Sequence, residues 1–481
     1  MKTYFRISVI LITFFSAFGT MAGQYNSTTY FMSNLPQSTI LNPALHPGCS
    51  FHISFPGFTS DIGNTTLSVK DIFTYLPEED LYVHPFDTLA TTAIKNDFLS
   101  KLDPLNSINM EVNANIFNIG FRTEDAYIAF HIAQRFGMRF DYSDDFVRIL
   151  VNGIENGQVY DWSNIGIRVR AYQEYGVTFS KEVDNYLTYG IRAKLLFGQV
   201  DFDMKRQDIT LEVTSPFDWQ IHSEFEIDGR VPWFTLYNNP QGELDSLDSD
   251  LDVDELLNIA MKKKNIGFAL DLGVNYNVND RFSISASALD IGFINWKDGV
   301  FNLSNDSEYD FSGVEKTEWN TGADADSTGF MDMLLDSIRH TFTIESTNEP
   351  YMSLLTGKIL FGLNYKLGKN LDIGVLSYTE IYRSKFFPRL TLSANFRPIR
   401  MLNFSFSYSV LNQEYNNMGF GLSLKLLPFN TYIIIDTVPL EMSKDFMPYS
   451  LKSARIQTGF NLVFGQRKRE KAENDNPLVN W

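Results

Sequence analysis

From Ile266 to Val278 every second residue is apolar: Ile266, Phe268, Leu270, Leu272, Val274, Tyr276 and Val278. Gly267, Ala269, Asp271, Gly273, Asn275 and Asn277 fill the positions between them. A period of two places one set on each face of an extended strand. The segment is also long, since strands of soluble domains run to about 5 or 6 residues and a tilted membrane strand requires about 9 to 11. After a turn at Asn279-Asp280 the chain returns from Arg281 to Trp296, with Phe282, Ile284, Ala286 and Ala288 opposed to Ser283, Ser285 and Ser287. Beyond Asp290 the apolar residues are Ile291, Phe293 and Trp296, and this slip of phase predicts a bulge.

The same alternation recurs in Leu187–Phe197, Ile359–Leu367, Leu390–Phe396, Phe404–Val410 and Phe420–Leu426. One face is greasy and aromatic, the other polar and glycine-rich. A soluble sandwich alternates too, so connection lengths have to decide. Short turns are expected at Val183–Asn185, Asn279–Arg281, Gly368–Asn370, Pro398–Arg400 and Pro428–Asn430. Interleaved with them are long excursions at Asp141–Ser163, Gly229–Asn265, Lys297–Met352 and Val438–Ser450, with shorter ones near Ile381–Lys385 and Asn412–Asn416. Short periplasmic turns at one end and long outer loops at the other describe an outer-membrane barrel. Two periplasmic ends require an even strand number. It is about 14 if Phe51–Pro56 opens the wall and Lys205–Asp228 is a hairpin within an outer loop, and 16 if that hairpin joins the wall.

The expected fold is therefore all-β: a transmembrane antiparallel β-barrel at 51–465, with short helices in long outer loops. Asp252–Lys264 and Thr328–Ile338 have helical spacing, and Val69–Leu102 also reads as helical. The N-terminus has Lys2 and Arg6, an apolar run from Ile7 to Phe18 and then small residues, so 1–23 is expected to be a signal peptide. Residues 24–50 form a plug-like segment before the wall, and 466–481 a charged tail without periodicity. After residue 23 no window has the continuous apolar character of a membrane helix.

Composition narrows the function. Of 481 residues 44% are apolar, 15% aromatic and 20% charged, which excludes a disordered chain. The net charge of -18 argues against nucleic acid as a partner, because phosphates require clustered Lys and Arg. The only cysteine, Cys49, has no partner within the chain for a disulfide. The six histidines form no spaced pair, and there is no nucleophile elbow, phosphate loop or dinucleotide fingerprint, so no catalytic residue, metal or cofactor is expected. The acidic run Glu243–Glu255 misses the calcium-loop template, with Val253 where Gly and Ile259 where Glu are required, and reads as a solvated outer loop.

Wall charges that cannot face lipid must face inward, so Asp271, Lys366, Arg192, Lys194 and Lys425 are expected in the lumen. They either line a polar path or pair with one another across a blocked interior. Gly459, Leu462 and Phe464 fit an assembly signal on the closing strand, which makes the barrel-assembly machinery an expected partner beside outer-membrane lipid and lipopolysaccharide.

Tyr30–Gly57 (YFMSNLPQSTILNPALHPGCSFHISFPG), Asp290–Trp296 (DIGFINW) and Met418–Val438 (MGFGLSLKLLPFNTYIIIDTV) together resemble an uncharacterised outer-membrane barrel family of Bacteroidota, a domain of unknown function. In a wider likeness, Asn42-Pro43-Ala44 is similar to the Asn-Pro-Ala of FadL-type hydrophobic-compound channels and of PorV-type barrels, shuttle components of the type IX secretion system. In the FadL group this segment belongs to a plug inside the barrel. The same three residues also suit a proline-fixed turn before the first strand. The resemblance implies a channel for hydrophobic or small amphipathic solutes. The alternative is a sealed barrel, a scaffold or secretion accessory whose long outer loops bind a surface protein. Neither reading is an enzyme.

Overall fold

The computed structural model describes residues 27–32, 34–77, 80–215, 218–249, 259, 263–312, 344–382, 385–411, 414–438, 449 and 451–466. Fourteen antiparallel strands form the wall. The first is Cys49–Ser54, continuing past Phe55-Pro56 as Gly57–Asn64. Asn106–Arg122, Ala126–Tyr142, Gly166–Glu182, Leu187–Ser215, Asn265–Asn277 and Phe282–Trp296 follow. Gly357–Lys366, Leu371–Tyr382, Lys385–Ile399, Leu402–Leu411, Glu414–Leu426, Phe429–Val438 and Ser453–Gln466 complete the circuit. The last strand pairs with the first, Phe464 opposite Phe51 and Thr458 opposite Phe58, so the sheet has no free edge. The first strand runs beyond the expected Phe51–Pro56: Pro56 interrupts one stretch of the ladder, and pairing resumes on the same two neighbours.

The strand number follows from one hairpin. Leu187–Ser215 spans 29 residues, of which Leu187–Gly198 pairs with Asn265–Asn277 in the wall. Its continuation pairs with Asp218–Arg230, and that strand pairs in turn with Phe301–Ser312. The hairpin therefore stands above the rim and adds nothing to the wall.

Outward residues are apolar and exposed: Phe268 is 55% exposed, whereas the neighbouring inward Asp271 is 0%. Leu392, Phe406, Ile433 and Ile456 continue the outer face on other strands. A side chain of this kind gains about 1.5–3 kcal/mol on leaving water, so dozens of them on the outside of a closed sheet require lipid around it. The protein is an outer-membrane barrel. Among the described residues no helix is long and apolar enough to cross a membrane.

The expected bulge is present. Leu270 stands opposite Ile291 and Leu272 opposite Ala288, which leaves Leu289 and Asp290 against Asp271 alone. Asp290 adopts φ +58°, a left-handed conformation that Asp tolerates. Before the bulge the even-numbered residues face lipid; after it Ile294 and Trp296 are fully buried inside, and Ile291 faces out. The Trp296 indole N–H donates to Ser353 Oγ at 2.7 Å.

Other expectations need correction. Val69–Leu102 is only partly helical, with helices at Val69–Ile72 and Thr92–Leu99 separated by the short paired strands Thr74–Leu76 and Leu81–Val83. The start of the acidic run is no plain loop, since Leu244–Ser249 pairs with Phe234–Asn238. The signal peptide, Thr328–Ile338, nearly all of Asp252–Lys264 and the tail beyond Gln466 lie outside the described residues.

Candidate functional site: the lumen

The chain from Ser27 to Leu45 lies inside the barrel and bonds to inward side chains around its circumference. Thr28 bonds to Ser407 and Asp436, Thr29 donates to Gln457 at 2.8 Å, and the Tyr30 hydroxyl donates to Ser285 at 2.9 Å. The Gln37 amide donates to Asn461 at 2.7 Å. Tyr30, Phe31 and Leu41 form an apolar cluster with Leu289, Leu360, Leu376 and Tyr378, and Met32 and Leu35 form another with Tyr432 and Ile434. These two clusters exist because the segment supplies about half of their residues.

Asn42-Pro43-Ala44 has its own seat. The Asn42 amide nitrogen reaches the wall carbonyls of Val274 at 3.3 Å and Ala286 at 3.2 Å, and Asn42 Oδ1 accepts the Ala44 N–H at 2.9 Å. Gly190 and Gly273, directly opposite one another on adjacent strands, leave the space that Pro43 occupies. A Cβ on Gly273 would collide with Asn42 Oδ1 and stand 2.8 Å from Pro43 Cδ, while one on Gly190 would strike the Pro43 carbonyl. The glycine content of the inward face is, at these positions, room for the N-terminal segment.

Three of the five expected lumen charges converge. Arg192 Nη1 and Lys194 Nζ lie 2.9 and 2.8 Å from Asp271 Oδ2. Lys194 also reaches Asp290 at 2.5 Å, and Lys358 meets the other oxygen of Asp290 at 2.7 Å. Glu174 joins through Lys194 at 3.8 Å, Arg135 at 2.9 Å and His131 at 2.8 Å. The bulge contributes directly: the Asp290 N–H donates to Asp271 Oδ1 at 2.8 Å. Arg192 ties the network to the segment by donating to the carbonyls of Ile40, at 3.1 Å, and Thr39. In so dry a place charges persist only when paired and hydrogen-bonded. Lys366 and Lys425 stand elsewhere, near the short-turn end. Lys366 donates to the Asp280 carbonyl at 3.3 Å, and Lys425 is half-buried just before the turn at Leu427-Pro428.

Above the segment is a cavity of about 200 Å³, with Ile40 and Leu41 in its floor and Lys194, Asp290 and Lys358 in its wall. Arg139, Tyr382 and Phe387 line both this cavity and a second one nearer the rim, which also touches Ser163, Lys205 and Gln207. None of Glu174, Lys358, Arg139, Tyr382 and Phe387 is marked by a sequence motif. Their only signal is an inward place in the alternation.

Of the closing-strand residues, Leu462 lies opposite Ile53 and Phe464 opposite Phe51, the two Phe rings 5.9 Å apart across the seam. Gly459 faces inward, with Tyr432 packed over it. Sequence spacing shows no metal ligands, yet Asp208, His222 and Glu224 bring ligand atoms within 4.8 Å of one another on the hairpin above the rim. Cross-strand register, with Asp208 opposite Glu224, assembles that group.

Similar solved structures include a Pseudomonas aeruginosa FadL homologue, 9% identical, covering 93% of this chain and 99% of that one, with a TM-score of 0.40. The Pseudomonas putida toluene transporter TodX is 9% identical over 92% and 94% of the two chains, with a TM-score of 0.36. The translocator domain of the Neisseria meningitidis autotransporter NalP is 8% identical over 91% and 97%, with a TM-score of 0.31. At such identities and scores these likenesses say nothing of the cargo. No curated protein matches the chain. A family model does match, over residues 43–436, and the chain accordingly belongs to DUF5723, a family of unknown function.

Proposed function

We propose that this protein is an outer-membrane channel for small amphipathic solutes, with residues 24–47 acting as its plug. The observation that carries the reading is the cavity of about 200 Å³ floored by Ile40 and Leu41 of the segment. A dry cavity of about 150 Å³ already admits benzene, so this one suits a solute of about one ring. Charged groups around it disfavour a purely apolar solute, which would strip their solvation without replacing it. The segment is held in the lumen by side-chain hydrogen bonds and apolar contacts rather than by strand pairing with the wall, which suits an element that shifts. Deletion of 24–47 in reconstituted vesicles is expected to raise solute uptake and conductance well above those of the full chain. A barrel that stays sealed after the deletion would end this reading.

A second reading, a sealed scaffold that binds a surface partner, is favoured by the sheet above the rim. There Asp208, Glu224 and Asp306 lie in register across three strands, with Glu308 opposite His222, and present an acidic face. Co-purification of a partner that is lost when Asp218–Arg230 is removed, together with a sealed lumen, would support it.

A further inference from the structure

We propose that the neck between the two lumen cavities recognises small organic acids with a flat apolar or aromatic body. The proposal rests on the channel reading for its context and on the neck's own geometry for its chemistry. Arg139 on the third wall strand reaches across the lumen to the ninth and tenth. Its Cζ lies 4.6 Å from the Tyr382 ring centre and 5.3 Å from that of Phe387. Arg168 approaches the same Tyr382 ring, with its Cζ at 5.1 Å. Arg139, Tyr382 and Phe387 border both cavities, so a solute moving from one to the other passes them.

Eight Arg and Lys side chains line the inner cavity against three carboxylates. The imbalance arises from reach: long basic side chains extend into the space, while short partners such as Asp203, set against Arg168, remain at the wall. Arg168 donates from Nη2 to the Leu354 carbonyl at 3.0 Å, while its Nε stands 3.7 Å from Asp203 Oδ2, beyond hydrogen-bond length. Arg139 Nε is held closer, 2.8 Å from Asp141. A guanidinium binds a carboxylate best through two parallel hydrogen bonds, an arrangement the 3.7 Å pair does not make and an incoming organic acid could. The acid's flat body would lie against Tyr382 and Phe387, where aromatic contact adds to the attraction. A neutral ring lacks the carboxylate, and an aromatic amine meets like charge.

The full chain in detergent can be titrated calorimetrically with benzoate, benzyl alcohol and benzylamine. Benzoate is expected to bind about tenfold or more tightly than either of the others, and R168A to weaken it about tenfold. R168K, which keeps the charge but not the fork, should fall between. Equal binding of benzyl alcohol and benzoate, no binding of benzoate, or full affinity in a folded R139A/R168A variant would overturn the proposal. If R139A loses the heat-modifiable barrel band, R168K and the benzoate to benzyl alcohol ratio on the unaltered chain still decide. Vesicle uptake separates the two readings. Benzoate that binds but does not cross, even without the plug, removes the channel and leaves the site; uptake of benzyl alcohol without selective benzoate binding removes the site and leaves the channel.

Discussion

Asn42 meets the wall through its amide and its own segment through its oxygen, and the two glycines beneath it set how close it comes. Gly273→Leu is therefore expected to leave the wall folded and to lift the segment from its seat. Chymotrypsin should then cut faster after Tyr30, Phe31 and Leu41 while the heat-modifiable barrel band persists. Unchanged cleavage would mean that the seat tolerates a side chain. A second prediction concerns Asp71, in the outer loop after the first strand. Burial pushes its pKa up, but hydrogen bonds from the Ser68 hydroxyl and amide and the nearby Lys101 ammonium, at 3.1 Å, outweigh burial and hold it below the ordinary carboxylate value. A carboxyl with a depressed pKa stabilises the fold above its unfolded pKa and loses that contribution as pH falls through the folded one. Hydrogen exchange of the Val69–Ile72 amides should quicken below about pH 4, and D71N should remove that pH dependence.

At the scale of elements, the bulge in Phe282–Trp296 decides which residues face lipid. Deleting Asp290 would leave Leu289 alone opposite Asp271 and turn the bulge into a regular pair, with Ile291 and Phe293 still facing out and Ile294 and Trp296 still facing in. The expected result is that the folded, heat-modifiable form persists, and its loss would show that the bend itself is required. D290N tests a different term. Asn also tolerates the left-handed conformation, so the bulge should survive while Lys194 and Lys358 lose their shared carboxylate. Breaking a buried pair of this kind costs about 3–5 kcal/mol, so D290N should unfold at lower denaturant than the parent yet still form a barrel. The bulge was legible as a slip of phase because a strand's period is set by its own backbone. Val69–Leu102 was not legible in the same way. Its helices are held by contacts from elsewhere, with Phe98 and Leu99 packed against Tyr142, Val147 and Val151.

For the whole molecule, closure does two things. It satisfies the last backbone edge by pairing Ser453–Gln466 with the first strand, and it gathers Glu174, Arg192, Lys194, Asp271, Asp290 and Lys358 into one small volume. Asp271, Arg192 and Lys194 could be named as inward from alternation alone, but Lys366 and Lys425 have the same pattern and stand near the short-turn end. Position along the strand separates them, and it matters only once the strands are in register. Pairing of Arg139 with Tyr382 lies further still from sequence, because it joins strands on distant parts of the ring.

What the sequence by itself determined is the alternation, the bulge, the two unequal ends and a choice between 14 and 16 strands. Each follows from a local backbone period or from a count of connections. Only the tertiary structure decided that the glycines seat Asn42-Pro43-Ala44, that Asp290 joins two lysines, and that Arg139 meets Tyr382 across the lumen. Those contacts depend on register and closure, which bring together residues that no spacing along the chain relates.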